Sequence, residues 1–319
     1  MSYPNLLFSF RERNNLGDQN PLHHELTMSK KDWLRTYLFA MFVLPIRAVL
    51  LLILHIVLNM VSRIGLLGLS KEDLSNRPIV QYWRKCMKMM SRFLMRVIIR
   101  VCGLIVTTKG KMASVDEAPI IVVAPCSCFF MEYILNGFLG DMSGISAKHN
   151  LDIPFLKPFI ELVQTIIVER GNTQSKANTA AEIMKRTNLH KHPNKDERWP
   201  RIVISPEENH TNGKLLMRFK DGAFNPGKPV QPLLFRYPNR LDTVTSDRNG
   251  PLQAIWVTLC QPFTRVKLEF LPVYYPSIEE QMDGELFATN VRKLMATKLS
   301  MPLCDMTFRE AEEQRKQLK

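Results

Sequence analysis

Pro119–Leu139 reads PIIVVAPCSCFFMEYILNGFL. Its first half is a short apolar run rich in β-branched residues, as expected of a strand buried on both faces. From Phe129 to Leu139 the apolar positions take helical spacing instead. A buried strand that turns straight into a helix marks an α/β sheet, where chemistry gathers beyond the strand's carboxyl end. The polar side chains there are Cys126, Ser127, Cys128 and Glu132.

Reading outward from this unit, short apolar runs alternate with helical ones after Gly103, which predicts a mixed α/β domain. Strands are expected at 120–124, 144–148, 165–168, 201–205 and 230–235, and helices at 129–139 and 176–186. Residues 187–200, TNLHKHPNKDERWP, read as a polar connector, and the HKH within it has no third metal ligand nearby. The stretch from Ser205 to Asn239 sets Pro, Gly and Asn between basic residues. It reads as a loop-built pocket with Lys214, Arg218, Lys220 and Arg236 available for phosphate. Residues 285–299 form an amphipathic helical pattern, and a charged helix follows Phe308. No glycine fingerprint for a mononucleotide or dinucleotide is present.

Towards the N-terminus, residues 1–30 are polar and lack a cleavable signal pattern, so they read as a cytosolic tail. Leu38–Val61 is apolar and long enough to cross a bilayer, although Pro45 would kink it and Arg47 would have to snorkel. A re-entrant or shallow helix fits as well as a span. Arg84, Lys88, Arg92, Arg96 and Arg100 then recur every four residues, which makes a basic stripe on one helix. Between them lie Met87, Met90, Phe93, Leu94, Val97 and Ile98. That pattern suits a headgroup region, with a calmodulin site or a solvated face as the plainer alternatives.

Composition sets the outer limits. The 319 residues are 45% hydrophobic, enough for a substantial core, and the net charge of +13 implies an anionic partner. Membrane surface is favoured over nucleic acid, because the densest basic run is interleaved with apolar side chains and not with stacking platforms. Six cysteines without CxxC or zinc spacing suggest reduced thiols facing the cytosol, with no metal or resident cofactor.

Four blocks carry a resemblance: APCSCFF, VQTIIVERGNTQSKANTAAEI, the stretch from SPEENHTNGK to RYPNRLDT, and LEFLPVYYPSIEEQMDGELFATNVRKLMATKLSMPLCDMTF. In order and spacing they are similar to the lysophosphatidylcholine acyltransferases of the glycerophospholipid acyltransferase superfamily. The resemblance implies an acyltransferase-type mixed sheet flanked by helices, with an N-terminal membrane-associated helical segment. It divides the chain into a polar tail 1–30, the membrane segment 31–105, the acyltransferase-like domain 106–310 and a charged tail 311–319. It implies acyl transfer from acyl-CoA, as co-substrate, to a lysophospholipid, among the membrane lipids of the endoplasmic reticulum and with the domain facing the cytosol.

In that family a histidine acts as general base and an aspartate five residues later orients it. The resemblance places Cys126 and Met131 at those two positions, which implies impaired catalysis. A pseudoenzyme that binds lipid, or an active relative of itself, would follow. A rebuilt site is the alternative, with Cys126 as nucleophile or His210 as a relocated base. Glu132 is expected to point elsewhere, one helical step of about 100° from Met131. The family's Pro-Glu-Gly-Thr block is altered here to Pro206, Glu207, Glu208 and Asn209. For substrate binding the resemblance implies Arg170 on the acceptor's phosphate, with Glu207, Lys220, Gly222 and Pro229 as the frame around it.

Overall fold

The computed structural model describes residues 20–317, apart from 25, 154, 170–172, 208 and 246–250. Four helices come first: α1 (Lys30–Phe42), α2 (Leu44–Leu66), α3 (Lys71–Asn76) and α4 (Tyr82–Val101). Ser29 starts α1 with a capping box to Asp32, whose carboxylate also pairs with Arg240 of the domain. Pro45 sits in the first turn of α2, where its missing N–H costs nothing, so the chain turns at Val43 and α2 runs on.

The order then becomes β1 (Leu104–Lys109), β2 (Ile120–Ala124), α5 (Met131–Phe138), β3 (Met142–Ser143), β4 (Ile145–Ala147), α6 (Lys157–Leu162), β5 (Ile166–Val168), α7 (Thr173–Asn188) and β6 (Arg201–Ile204). It closes with β7 (Leu216–Met217), β8 (Val230–Arg236), α8 (Pro251–Leu259), β9 (Thr264–Phe270), α9 (Ile278–Met282), α10 (Gly284–Leu299), β10 (Leu303–Cys304) and α11 (Phe308–Gln317). One sheet takes the order β1-β9-β8-β2-β6-β3, parallel except where β8 meets β9. Strand β2 is central and wholly buried. Ile121 and Val123 face a core shared with α4, α5 and Leu58 of α2, while Ile120, Val122 and Ala124 face one shared with α10. This alternation is the period-2 pleat with both faces covered.

Among the described residues α2 is the one helix long and apolar enough to cross a membrane. It is fastened to the domain along its length. Near its start Arg47 donates to the carbonyls of Leu259, Gln261 and Pro262, so it does not snorkel. At mid-helix His55 meets the Tyr133 hydroxyl at 3.0 Å, and near the end Arg84 of α4 donates to the carbonyls of Gly65 and Leu67. Gly65 permits the close fit, since a Cβ there would stand 2.7 Å from a Leu162 methyl. The outer side of this assembly is apolar and exposed, with Phe42, Ile46, Val49, Ile53 and Met60 joined by Trp83, Met89 and Phe93 of α4.

The basic stripe of α4 does not face outward as a unit. Arg84 and Lys88 are buried, Lys88 lies 3.7 Å from Asp141, and Arg96 donates to the Gly137 carbonyl. Four residues per repeat drift around a 3.6-residue helix, and the drift turns the first half of the stripe into the domain. Asn20 and His24 are buried, and Asn20 donates to the Ala311 carbonyl. The charged helix expected after Phe308 is α11, and Asn20 packs against it. In the polar connector His190 is buried against the Thr187 carbonyl, and Trp199 lies under Arg186.

Candidate active site

The strand β2 delivers Cys126 to the carboxyl end of the sheet, through a cis Ala124–Pro125 bond. Two anchors fix its backbone. Its N–H donates to Glu207 Oε2 at 2.7 Å, and its carbonyl accepts the Thr211 N–H at 2.7 Å. The second oxygen of Glu207 accepts the Met217 N–H at 3.1 Å. Glu207 thus ties the β2–α5 loop to the segment after β6, and it is itself buried. Burial pushes its carboxyl up to about 7, against the pull of those two N–H donors and of Arg292. Its role in substrate binding would be indirect, through the loops it braces.

The same bracing brings His210 over Cys126. Nδ1 of the imidazole lies 3.8 Å from the sulfur, and the Phe129 ring stacks on it at 5.5 Å and 17°. Beneath the loop, the Asn212 side-chain amide donates to the carbonyls of Asn20 and His23, and its backbone N–H donates to the Pro21 carbonyl at 2.6 Å. Gly213 has φ +67°, and a Cβ there would stand 3.1 Å from the Ser127 hydroxyl. Only glycine combines that backbone with so close an approach.

Cys126 is 5% exposed, and its thiol is driven far above its ordinary value by burial first and the Glu207 carboxylate second. It is a neutral thiol, which disfavours the nucleophile reading. Met131 is buried in the core cluster that also holds Cys126, where a thioether offers nothing to orient an imidazole. Glu132, one position on, has an exposed side chain, and desolvation by the surrounding protein pushes its carboxyl up to about 7. Its charge adds a smaller push to the Cys126 thiol, after burial and the Glu207 carboxylate.

Further out, Lys220 is exposed and its N–H donates to the Pro206 carbonyl, while Gly222 borders open space. Two of the basic residues expected to meet phosphate are spent elsewhere. Arg218 pairs with Glu285, and Arg236 pairs with Glu269 at 2.9 Å, so neither charge is available. Arg170 and Glu208 lie outside the described residues.

Several contributors escape a reading by motif. Phe129, Asn212 and the 20–24 segment support His210 only through tertiary contact. Arg292 could have been found, because it falls in the stripe of Ala288, Val291, Met295 and Leu299, where a charge is out of place. It is buried and donates to the carbonyls of Leu216 and Cys304 and to Asp305.

Residues 125–236 match the family model described as Acyltransferase. The chain is 38% identical to the Drosophila melanogaster lysophosphatidylcholine acyltransferase, over 91% of this chain and 54% of that protein. It is 39% identical to mouse lysophosphatidylcholine acyltransferase 2, over 91% and 52%, and 34% identical to human lysophosphatidylcholine acyltransferase 1, over 92% and 54%. It thus spans about half the length of the curated relatives it matches. Among solved structures, the 1-acyl-sn-glycerophosphate acyltransferase PlsC of Thermotoga maritima shares the fold, with a TM-score of 0.51 at 13% identity over 84% of this chain and 97% of that one. With this domain at its centre, and with Cys126, Glu207 and His210 drawn together within it, the chain carries an acyltransferase-family domain over residues 125–236 and is similar along most of its length to the lysophosphatidylcholine acyltransferases.

Proposed function

We propose that this protein transfers an acyl group from acyl-CoA to the free hydroxyl of a lysophospholipid, slowly, with His210 in place of the missing family dyad as the proton acceptor. The observation that carries this reading is the 3.8 Å approach of His210 to Cys126, which returns an imidazole to a site whose sequence motif has lost one. In the cycle, Nε2 takes the hydroxyl proton as the acceptor oxygen attacks the thioester carbon. The tetrahedral intermediate then collapses, the C–S bond breaks, and the imidazolium returns the proton to the CoA sulfur.

The expected slowness has a physical cause. For Nε2 to carry the lone pair, Nδ1–H must donate to the Cys126 sulfur, a weak acceptor compared with a carboxylate. General-base catalysis is worth ~10²–10⁴ in rate, and a poorly oriented base recovers part of it.

The protein would work from within one membrane leaflet. A helix of 23 residues spans about 35 Å at ~1.5 Å per residue, and α2 lies along the domain from Arg47 to Leu67 instead of leaving it. Its exposed apolar side, continued on α4, is suited to the acyl region. Six free cysteines support a domain on the cytosolic face, and the endoplasmic reticulum is the membrane proposed.

A second reading, a lipid-binding protein without turnover or one that assists an active relative, is favoured by Met131, which leaves the dyad's acidic position apolar. Membranes carrying the protein, labelled acyl-CoA and a panel of lysophospholipids separate the two. Product above that of empty membranes supports transfer, and substrate binding without product supports the second reading.

A further inference from the structure

We propose that residues 20–24 form a strap across the site, and that Asn212 is the positioning residue through which this strap fixes His210 over Cys126. The inference rests on His210 as the proton acceptor and names what keeps its imidazole in place.

Residues 209–215 contain no helix or strand, so side-chain and loop bonds set their position. Asn212 uses both ends of its side chain for this. Its amide donates to the carbonyls of Asn20 at 3.0 Å and His23 at 3.1 Å, and its oxygen accepts the Lys214 N–H at 2.9 Å. The Asn212 backbone N–H adds the bond to Pro21. Asn212 is buried, and a buried amide stripped of its partners is costly, which favours a seated strap. Thr211, between Asn212 and His210, donates its N–H to the Cys126 carbonyl at 2.7 Å. The run 210–212 is therefore pinned from two directions, by the Cys126 backbone and by the strap.

The strap holds a second loop as well. His24 Nε2 lies 3.1 Å from the Asp242 carbonyl oxygen, and Arg240 of the same loop pairs with Asp32 of α1. Two residues beyond Asp242, the Val244 carbonyl accepts the Phe129 N–H at 3.4 Å, and Thr245 forms an antiparallel bridge with Cys128. Phe129 is the ring that stacks on His210. One short segment thus joins the loop that carries the imidazole to the loop that backs the ring against it. The strap is itself anchored on α11, where the Asn20 amide donates to the Ala311 carbonyl at 2.8 Å and to Gln314 Oε1 at 2.9 Å. Proton transfer depends on this fixity, because a shift of ~1 Å in a reacting group can cost ~10²-fold in rate.

The test is hydrogen–deuterium exchange on the full-length protein in detergent micelles, with acyl transfer from acyl-CoA to lysophosphatidylcholine assayed on the same preparations. Asn20→Ala releases the strap from α11 and removes no group of Asn212. Asn212→Asp keeps the acceptor for the Lys214 N–H and loses both donors to the strap. Each is expected to speed exchange severalfold in peptides covering 209–215 and 126–130, with β2 and β8 at the wild-type rate, and to lower kcat about tenfold with KM little changed. Both act on one strap, so the double variant is expected to fall no further than the worse single variant. If Asn212→Asp does not fold, Asn20→Ala carries the test alone. Unchanged exchange in Asn20→Ala, with the protein folded by its thermal transition, overturns the proposal, as does faster exchange with an unchanged kcat. Faster exchange in a protein whose wild type transfers nothing supports the strap and overturns acyl transfer instead.

Discussion

The sulfur of Cys126 and Nδ1 of His210 lie 3.8 Å apart, although 84 positions separate them in the chain. Glu207 holds the two loops in this relation by accepting the Cys126 N–H with one oxygen and the Met217 N–H with the other. The imidazole therefore comes from the segment after β6 and not from the β2–α5 loop that carries the motif. Met131, at the motif's acidic position, is apolar and offers an imidazole no carboxylate.

Restoring that acceptor should raise the rate. Cys126→His with Met131→Asp rebuilds the dyad on the β2–α5 unit, and we expect acyl transfer at least tenfold faster than wild type, against the ~10²–10⁴ a well-placed base is worth. Either single substitution should fall well short of the pair, because the histidine alone lacks its orienter and the aspartate alone is a buried charge. Initial rates with labelled acyl-CoA measure this.

Glu207 makes stability depend on pH with a definite sign. Burial raises its folded-state carboxyl to about 7, above an unfolded value near 4.5, so the folded protein holds the proton more tightly. The stabilisation is complete below about 4.5 and is lost as pH rises through 7. Glu207→Gln should flatten this loss, which is on the order of 3 kcal/mol at ~1.4 kcal/mol per pH unit over the gap between the two values. Thermal unfolding of wild type and variant between pH 5 and 8 checks it.

Much of this fold was legible before the structure. The buried run at 120–124 is a strand to the residue, and the alternation beyond it forecast β4, β5, β6 and β8 within a residue or two. Strands β1 and β9 were not foreseen. Leu104, Val266 and Leu268 are buried, but Thr107, Thr108, Lys109, Arg265 and Lys267 dilute the apolar signal, and the pairing across some 160 residues leaves no local trace. The site divides in the same way. Cys126 and Met131 are legible as losses from a motif, but the meeting of His210 with Cys126 depends on Gly213, Asn212 and the 20–24 segment, which a linear reading keeps far apart.

Arg47 should prove structural. Its guanidinium donates to three carbonyls between 259 and 262, and hydrogen bonds to charged groups are worth about 1.5–3 kcal/mol each in favourable cases. Arg47→Ala leaves those carbonyls unpaired beside a helix that no longer docks at its start. We expect a loss of about 2–4 kcal/mol, seen as a lower thermal midpoint in detergent, and faster proteolysis near residue 43.

The exposed side of α2 should control membrane attachment without supporting the fold. Val49 and Ile53 are 58% and 51% exposed, so a lysine at each removes lipid contact and touches no core. Val49→Lys with Ile53→Lys is expected to reduce co-sedimentation with phosphatidylcholine vesicles severalfold and to leave the thermal midpoint within about 0.5 kcal/mol of wild type. Equal sedimentation would place the lipid contact elsewhere.

The role of His210 is tested most directly by chemical rescue. Acyl transfer to lysophosphatidylcholine should fall at least a hundredfold in His210→Ala, and added imidazole should recover part of it, more strongly at pH values where the free base predominates. A His210→Ala protein that transfers at the wild-type rate would contradict the account.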